Sequence, residues 1–207
     1  MRFLYATQKE IYMKFILASK SPRRREILSS LGLNFDIITS EADESSPETN
    51  PERLVMTLAE RKGKAVVDKL IGEGRDLTDT LIIACDTLVH FDGNILGKPQ
   101  DRADAKKMLS MLSGKSHFVS SGLYLYCNGK AVTDVKSTKV WFATLTEDEI
   151  ERYLDTDEPY DKAGAYAIQG KASVFISGFE GCYFNVVGLP VRKLYEMAND
   201  HFDITLF

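Results

Sequence analysis

The sequence predicts an α/β fold, a mixed twisted sheet with flanking helices, and three observations carry that expectation. Strand-like and helix-like segments alternate over the first hundred residues, the pattern of parallel βαβ units. Two dipeptides between apolar runs, Asp92-Gly93 and Asn128-Gly129, mark antiparallel hairpins later in the chain. The 207 residues are 44% hydrophobic and 27% charged, the balance of a chain with a sizeable core. A sheet that takes both kinds of strand is mixed.

The elements follow in order. Residues 14–19 (KFILAS) form a short buried strand. Residues 21–31 form a helix, with Ser21 at the N-cap, Pro22 at the first helical position and Gly32 ending it. A second strand spans residues 35–40, and the polar, acidic residues 41–50 form a loop. Residues 51–71 form a long amphipathic helix closed by Gly72. A strand over residues 81–91 runs into the Asp92-Gly93 hairpin, and residues 101–112 are helical. Strands over 117–127 and 130–143 flank Asn128-Gly129. Thr146 and Glu149 form the capping box of a helix ending at Leu154. Residues 155–172 are Gly-rich and irregular, two short strands surround Gly181, and residues 190–199 form a last helix.

Composition narrows the function. Lys and Arg number 26 against 30 Asp and Glu, a net charge of −4 that lacks the basic excess of a nucleic-acid scaffold but leaves room for a local anion site. No stretch approaches the roughly 18 apolar residues of a membrane span. Cys85, Cys127 and Cys182 have no CxxC spacing, which argues against a disulfide framework or a zinc site and points to a reducing, cytoplasmic setting. His90, His117 and His201 form no HxxxH pair, so histidine–zinc and Ser-His-Asp chemistry are disfavoured. Residues 1–13 stand apart as an N-terminal extension before a single domain over 14–207. Arg2, Lys9 and Lys14 against one acid, Glu10, leave a weak organellar presequence open beside an ordinary extension.

Six features carry chemistry. Three arginines (Arg23, Arg24, Arg25) follow Ser19-Lys20-Ser21-Pro22 in the first turn of a helix, where the dipole disfavours cations. A phosphate would neutralise them, with the Ser19 and Ser21 hydroxyls as further donors; a solvated basic turn is the alternative. Arg23 is the arginine expected to face a ligand, with Arg24 and Arg25 toward solvent. Lys62 falls within the apolar face made by Val55, Leu58, Ala59, Ala65, Val66 and Leu70, while Lys64 falls opposite. Asp86 interrupts the apolar strand Ile82-Ile83-Ala84-Cys85-Asp86-Thr87-Leu88-Val89. An acid there is a metal ligand, a general base or a salt-bridge partner, and Lys62 is the natural partner. Lys98, in Gly97-Lys98-Pro99, is a cation on rigid flanks. Glu41, Asp43 and Glu44 offer loop carboxylates of the kind Mg²⁺ takes beside phosphate and water, or a solvated acidic loop. Gln169, in the small-residue run 161–170 (DKAGAYAIQG), has one donor and one acceptor for a base edge. The sum is an enzyme acting on a phosphorylated small molecule with a divalent metal.

Taken together, SKSPRR (19–24), Ala84-Cys85-Asp86-Thr87, Gly97-Lys98-Pro99, Leu112-Ser113-Gly114, DKAGAYAIQG (161–170) and Val187-Gly188-Leu189-Pro190 closely resemble the Maf family of nucleotide pyrophosphatases, over about residues 14–200. The resemblance implies a fold similar to the inosine triphosphate pyrophosphatases, two lobes around a cleft. It implies metal-dependent hydrolysis of a nucleoside triphosphate to the monophosphate and pyrophosphate, a housecleaning role, and a homodimer. By position, Asp86 matches the catalytic acid/base, and Glu44, Lys62 and Lys98 match charged site positions, with Glu44 and Asp86 the candidates for Mg²⁺ or Mn²⁺. Arg23, Thr87 and Gln169 match the positions that separate subgroups and resemble the dTTP/UTP type. Ala84-Cys85 stands where the family pattern has Gly-Ala. Rival readings are a pyrophosphatase for modified purine triphosphates such as 7-methyl-GTP, and a nucleotide-binding regulator of septum formation without turnover.

Overall fold

A computed structural model describes residues 13–39 and 41–206; the expected extension, apart from Met13, lies outside the described residues. Among these, seven strands form one sheet, in the order β2-β1-β3-β5-β6-β7 with β4 beside β3. The strands are β1 (Lys14–Leu17), β2 (Phe35–Ile37), β3 (Thr80–Phe91), β4 (Asn94–Leu96), β5 (Ser116–Cys127), β6 (Lys130–Phe142) and β7 (Ile176–Glu180). β1 pairs parallel with β2 and β3, and the remaining pairs are antiparallel, so the sheet is mixed as expected. Both hairpins turn on left-handed backbone, at Asp92 (φ 49°) with Gly93 (75°) and at Asn128 (49°) with Gly129 (81°).

Among the described residues six α-helices flank the sheet: α1 (Pro22–Ser30), α2 (Pro51–Gly72), α3 (Arg102–Leu112), α4 (Glu147–Leu154), α5 (Tyr183–Val187) and α6 (Val191–Phe202). Ser21 caps α1 and Thr146 closes its capping box on α4. Gly72 stays inside α2, and the left-handed residue that ends the turn is Gly74 (φ 71°). The second strand expected around Gly181 is α5 instead. The β-branched Val186 and Val187 favour a strand locally, but the Asn185 amide donates to Val119 O (2.8 Å) and Thr138 Oγ1 (3.0 Å), which holds the segment in one helical turn.

The core has three parts. α2 covers one face of the sheet, packing Ala59, Val66, Val67 and Leu70 on Ile16, Ile82, Ala84 and Tyr124. The other face carries two clusters. One gathers Leu28, Leu194 and Met197 over Leu81, Ile83, Cys85, Leu123 and Leu125. The other gathers Met108, Leu109, Ile150 and Tyr153 over Val89, Val119, Val140 and Phe142. Residues of both clusters, Val187 of the first and Val89, Val119 and Tyr166 of the second, line one cavity.

The strand register opens that cavity. β1 follows β3 only as far as Leu17 opposite Ile83, and β4 joins β3 only at Leu96 opposite Val89. Between them, Ala84 to Leu88 has no strand partner on that edge among the described residues. Successive side chains of this free edge point to opposite faces, so Asp86 faces α2 and Thr87 faces α1.

α2 lies unusually close to the sheet because two glycines allow it. A Cβ on Gly122 would meet the Val55 carbonyl oxygen at 2.2 Å, and one on Gly63 would meet the Tyr124 ring at 2.1 Å. That approach carries the neighbouring Lys62 to the sheet surface.

Candidate active site

The free edge of β3 forms the floor of a cavity of about 740 Å³. Its walls are Ser19, Ser21, Arg23 and Arg24 from the turn after β1, Glu41 and Glu44 from the acidic loop, Lys62 from α2, Lys98 after β4, Asp161 to Ala163 with Tyr166, and Gly188 after α5. Asp86 and Thr87 stand in the middle. Eight of the nine sequence-derived site residues therefore converge. The ninth, Gln169, is exposed on the turn before Gly170 and does not line the cavity.

The central contact is Lys62. Its ammonium donates to Asp86 Oδ1 at 2.5 Å and lies 3.0 Å from Glu44 Oε1. The lysine and aspartate side chains are only 21% and 13% exposed, whereas Glu44 is 66% exposed. Burial works against the charge on Lys62, but the two carboxylates outweigh it and hold the ammonium above the ordinary lysine value of 10.5. The partnership expected from the sequence is present, and it holds the Asp86 side chain at the cavity floor. Lys64, opposite, is exposed.

Arg24 departs from expectation. Its guanidinium donates through Nε to Gly188 O (2.8 Å), through one terminal nitrogen to Ser19 Oγ (3.1 Å) and through the other to Thr87 Oγ1 (3.1 Å). It lies one helical turn before the buried Ile27 and Leu28, on the inward face of α1, and that spacing was the signal for it. Arg25 is exposed, as expected. Thr87 Oγ1 also lies 2.8 Å from Ser121 Oγ and 3.3 Å from Gly188 O, so its hydroxyl is committed to holding Arg24. The fork ties together the turn after β1, the β3 edge and the turn after α5, and its three acceptors fix the plane of the guanidinium.

A family model described as Maf-like protein matches residues 14–201. The chain belongs to the family of Maf-like proteins. It is similar to a dTTP/UTP pyrophosphatase of Thermoanaerobacter sp. (strain X514), 46% identical over 94% of this chain and all of the relative. It is likewise similar to a dTTP/UTP pyrophosphatase of Clostridium botulinum (strain Kyoto / Type A2), 50% identical over 88% of this chain and 94% of the relative. Among solved structures, a HAM1 protein from Coxiella burnetii aligns with a TM-score of 0.41 at 16% identity, covering 64% of this chain and 74% of that one.

In this Maf-like chain the acidic loop divides by residue. Glu41 pairs with Lys20 at the exposed rim (2.7 Å), and Asp43 spends both oxygens on Ser45. Only Glu44 reaches the Lys62–Asp86 pair. Arg61 secures the loop on the Ser45 carbonyl (2.5 Å). Lys162 is a further cavity cation, paired with Asp161 and 15% exposed; its signal was the DKAG run itself. Cys85 is buried in the core cluster under α1 and its thiol is pushed up by burial. No described helix is long and apolar enough to cross a membrane.

A divalent metal would meet two carboxylates here. Glu44 and Asp86 reach one ammonium, so their oxygens stand close together. Among the described residues no group of three or more His, Cys, Asp or Glu converges. A pair of carboxylates fits a hard cation that completes its shell with phosphate oxygens and water.

Proposed function

We propose that this Maf-like chain hydrolyses dTTP and UTP to the nucleoside monophosphate and pyrophosphate, with Mg²⁺ or Mn²⁺. The observation that carries the reading is the half-buried Lys62 bridging Asp86 and Glu44 inside a cavity that also gathers Arg23, Arg24, Lys98 and Lys162. The dTTP/UTP pyrophosphatases to which the chain is similar support the substrate.

In this mechanism Arg23, Arg24, Lys98 and Lys162 bind the triphosphate beside the free N–H groups of α1. Ser19 and Thr87 keep the Arg24 fork aimed, and the Ser21 hydroxyl stays with its helix cap. Lys62 orients the Asp86 carboxylate, which takes a proton from a water at the α-phosphorus. The water oxygen bonds to phosphorus as the bond to the bridging oxygen breaks, and pyrophosphate leaves. Glu44 and Asp86 would hold the metal, which when bound neutralises phosphate charge. We assign Arg23, Thr87 and Gln169 to base selection, Thr87 acting through Arg24 and Gln169 from the turn beyond the cavity wall. The three cysteines, all unpaired, fit a cytoplasmic enzyme, and we propose a homodimer as its working form.

A panel of triphosphates, each with and without Mg²⁺ or Mn²⁺, tests the reading by pyrophosphate release. Turnover is expected fastest with dTTP and UTP. Preference for 7-methyl-GTP or dITP overturns the substrate, and no turnover by folded, metal-supplied protein overturns the activity.

A further inference from the structure

The wall that carries Asp161 and Lys162 contains backbone strain. Gly164 (φ 70°) and Ala165 (φ 60°) are consecutive left-handed residues, and Ala165 is fully buried. A non-glycine residue in that conformation persists only where its surroundings hold it. On one side the Gly164 N–H donates to Gly97 O (3.0 Å), and a Cβ there would press on Val89 at 3.1 Å. On the other side Tyr166, which lines the cavity, meets His117 Nε2 at 2.6 Å through its hydroxyl. The two rings and Phe142 pack edge to face, with centroids 4.8 to 5.3 Å apart.

His117 is an expensive way to fill this space. It is 1% exposed, and its Nδ1 has no hydrogen-bond partner among the described residues. Burial, with a smaller push from His90, lowers its pKa to about 4, so the ring is neutral at pH 7. A phenylalanine would pack in the same aromatic group without a stranded nitrogen. The imidazole is explained by what its other nitrogen holds.

We propose that His117 is a positioning residue for the substrate cavity: through Tyr166 it fixes the strained turn at Gly164 and Ala165 and so sets Asp161 and Lys162 against the triphosphate. This rests on the pyrophosphatase reading. Three substitutions separate its nitrogens. The side-chain amide of glutamine reaches the Nε2 position, that of asparagine reaches only the Nδ1 position, and phenylalanine keeps the ring alone.

With dTTP and Mg²⁺, His117→Phe and His117→Asn are expected to raise KM about three- to tenfold, the loss of one buried hydrogen bond, with kcat changed less than about twofold. His117→Gln restores KM. Tyr166→Phe matches His117→Phe, and the double variant is no worse than either, because both remove the same bond. The melting temperature falls in His117→Phe and in Tyr166→Phe, each of which strands one buried partner, and recovers in the double variant while its KM stays raised, a divergence that a purely structural role does not produce. Unchanged KM in folded His117→Phe and Tyr166→Phe overturns the proposal, as does a His117→Gln as impaired as His117→Phe. If the wild type releases no pyrophosphate, the activity reading alone fails. The same variants are then compared for binding α,β-methylene-dTTP by calorimetry, where an unchanged Kd in His117→Phe overturns the positioning role.

Discussion

Replacing Lys62 by methionine keeps the length and packing of the side chain and removes only its charge. In the folded protein that charge sits 2.5 Å from Asp86 and 3.0 Å from Glu44, so the two carboxylate oxygens are no farther apart than the sum, about 5.5 Å. Two unit charges at that separation repel by roughly 0.8 to 3 kcal/mol between dielectric values of 80 and 20. Glu44 is 66% exposed, which places the value toward the lower end, near 1 kcal/mol. Asp86, at 13% exposure, also loses its hydrogen bond to a charged donor, worth about another 1 kcal/mol where cavity water replaces part of it. The expected loss is about 2 kcal/mol, or roughly 4–8 °C in melting temperature for a chain of this size. The sign with pH follows from the raised ammonium. Its contribution is complete below the ordinary value of 10.5 and fades as pH rises through the higher folded value. The gap between wild type and variant is therefore flat from about pH 7 to 9 and closes at higher pH. Steady-state kinetics with dTTP provide the second reading, with kcat/KM expected to fall at least about tenfold as the orientation of Asp86 is lost. A lower melting temperature with unchanged kcat and KM would refute the reasoning, leaving Lys62 as a salt-bridge partner only.

Asp86→Asn should lower kcat by about 10² to 10⁴, the usual worth of a general base, while circular dichroism stays native because Lys62 keeps Glu44; near-normal turnover removes Asp86 from the chemistry. Arg24→Lys replaces a three-way fork by one ammonium and should reduce both melting temperature and kcat/KM more than Arg23→Lys does; the reverse order would return the leading role to Arg23. Glu44→Gln should raise the Mg²⁺ concentration needed for half-maximal pyrophosphate release, and an unchanged metal titration would take Glu44 out of the metal site.

The frame of this protein was legible because local chemistry and tertiary structure agree. Ser21-Pro22, Thr146 with Glu149, and the Asp-Gly and Asn-Gly turns mark boundaries that need no distant partner. Lys62 and Asp86 were legible as misfits, each a charge on an apolar surface, and the fold joins them. What stayed hidden depends on distance across the chain. α5 read as a strand because its β-branched pair outweighs, locally, an Asn185 whose acceptors lie 47 and 66 residues earlier. Arg24 was discounted beside Arg23 because a run of three like cations does not reveal which one faces inward; the helix phase set by Ile27 and Leu28 does. Gln169 matched by motif, yet the Glu158 carboxylate accepts the backbone N–H groups of Lys171 (2.9 Å) and Ala172 (3.2 Å) and holds that turn outside the cavity.

The closeness of α2 to the sheet has a consequence for anyone who tries to make this protein more robust. Gly63 is a mid-helix glycine, the usual target for an alanine that strengthens a helix by about 1 kcal/mol. Here the new methyl would stand 2.1 Å from the ring of Tyr124, a residue 2% exposed with no room to withdraw. The helix would have to lift, and the adjacent Lys62 would lift with it, away from Asp86. A variant library sorted by thermal tolerance would therefore keep glycine here, because the close approach that excludes a methyl group is the same spacing that holds Lys62 against Asp86. Stability and turnover pull the same way at this position.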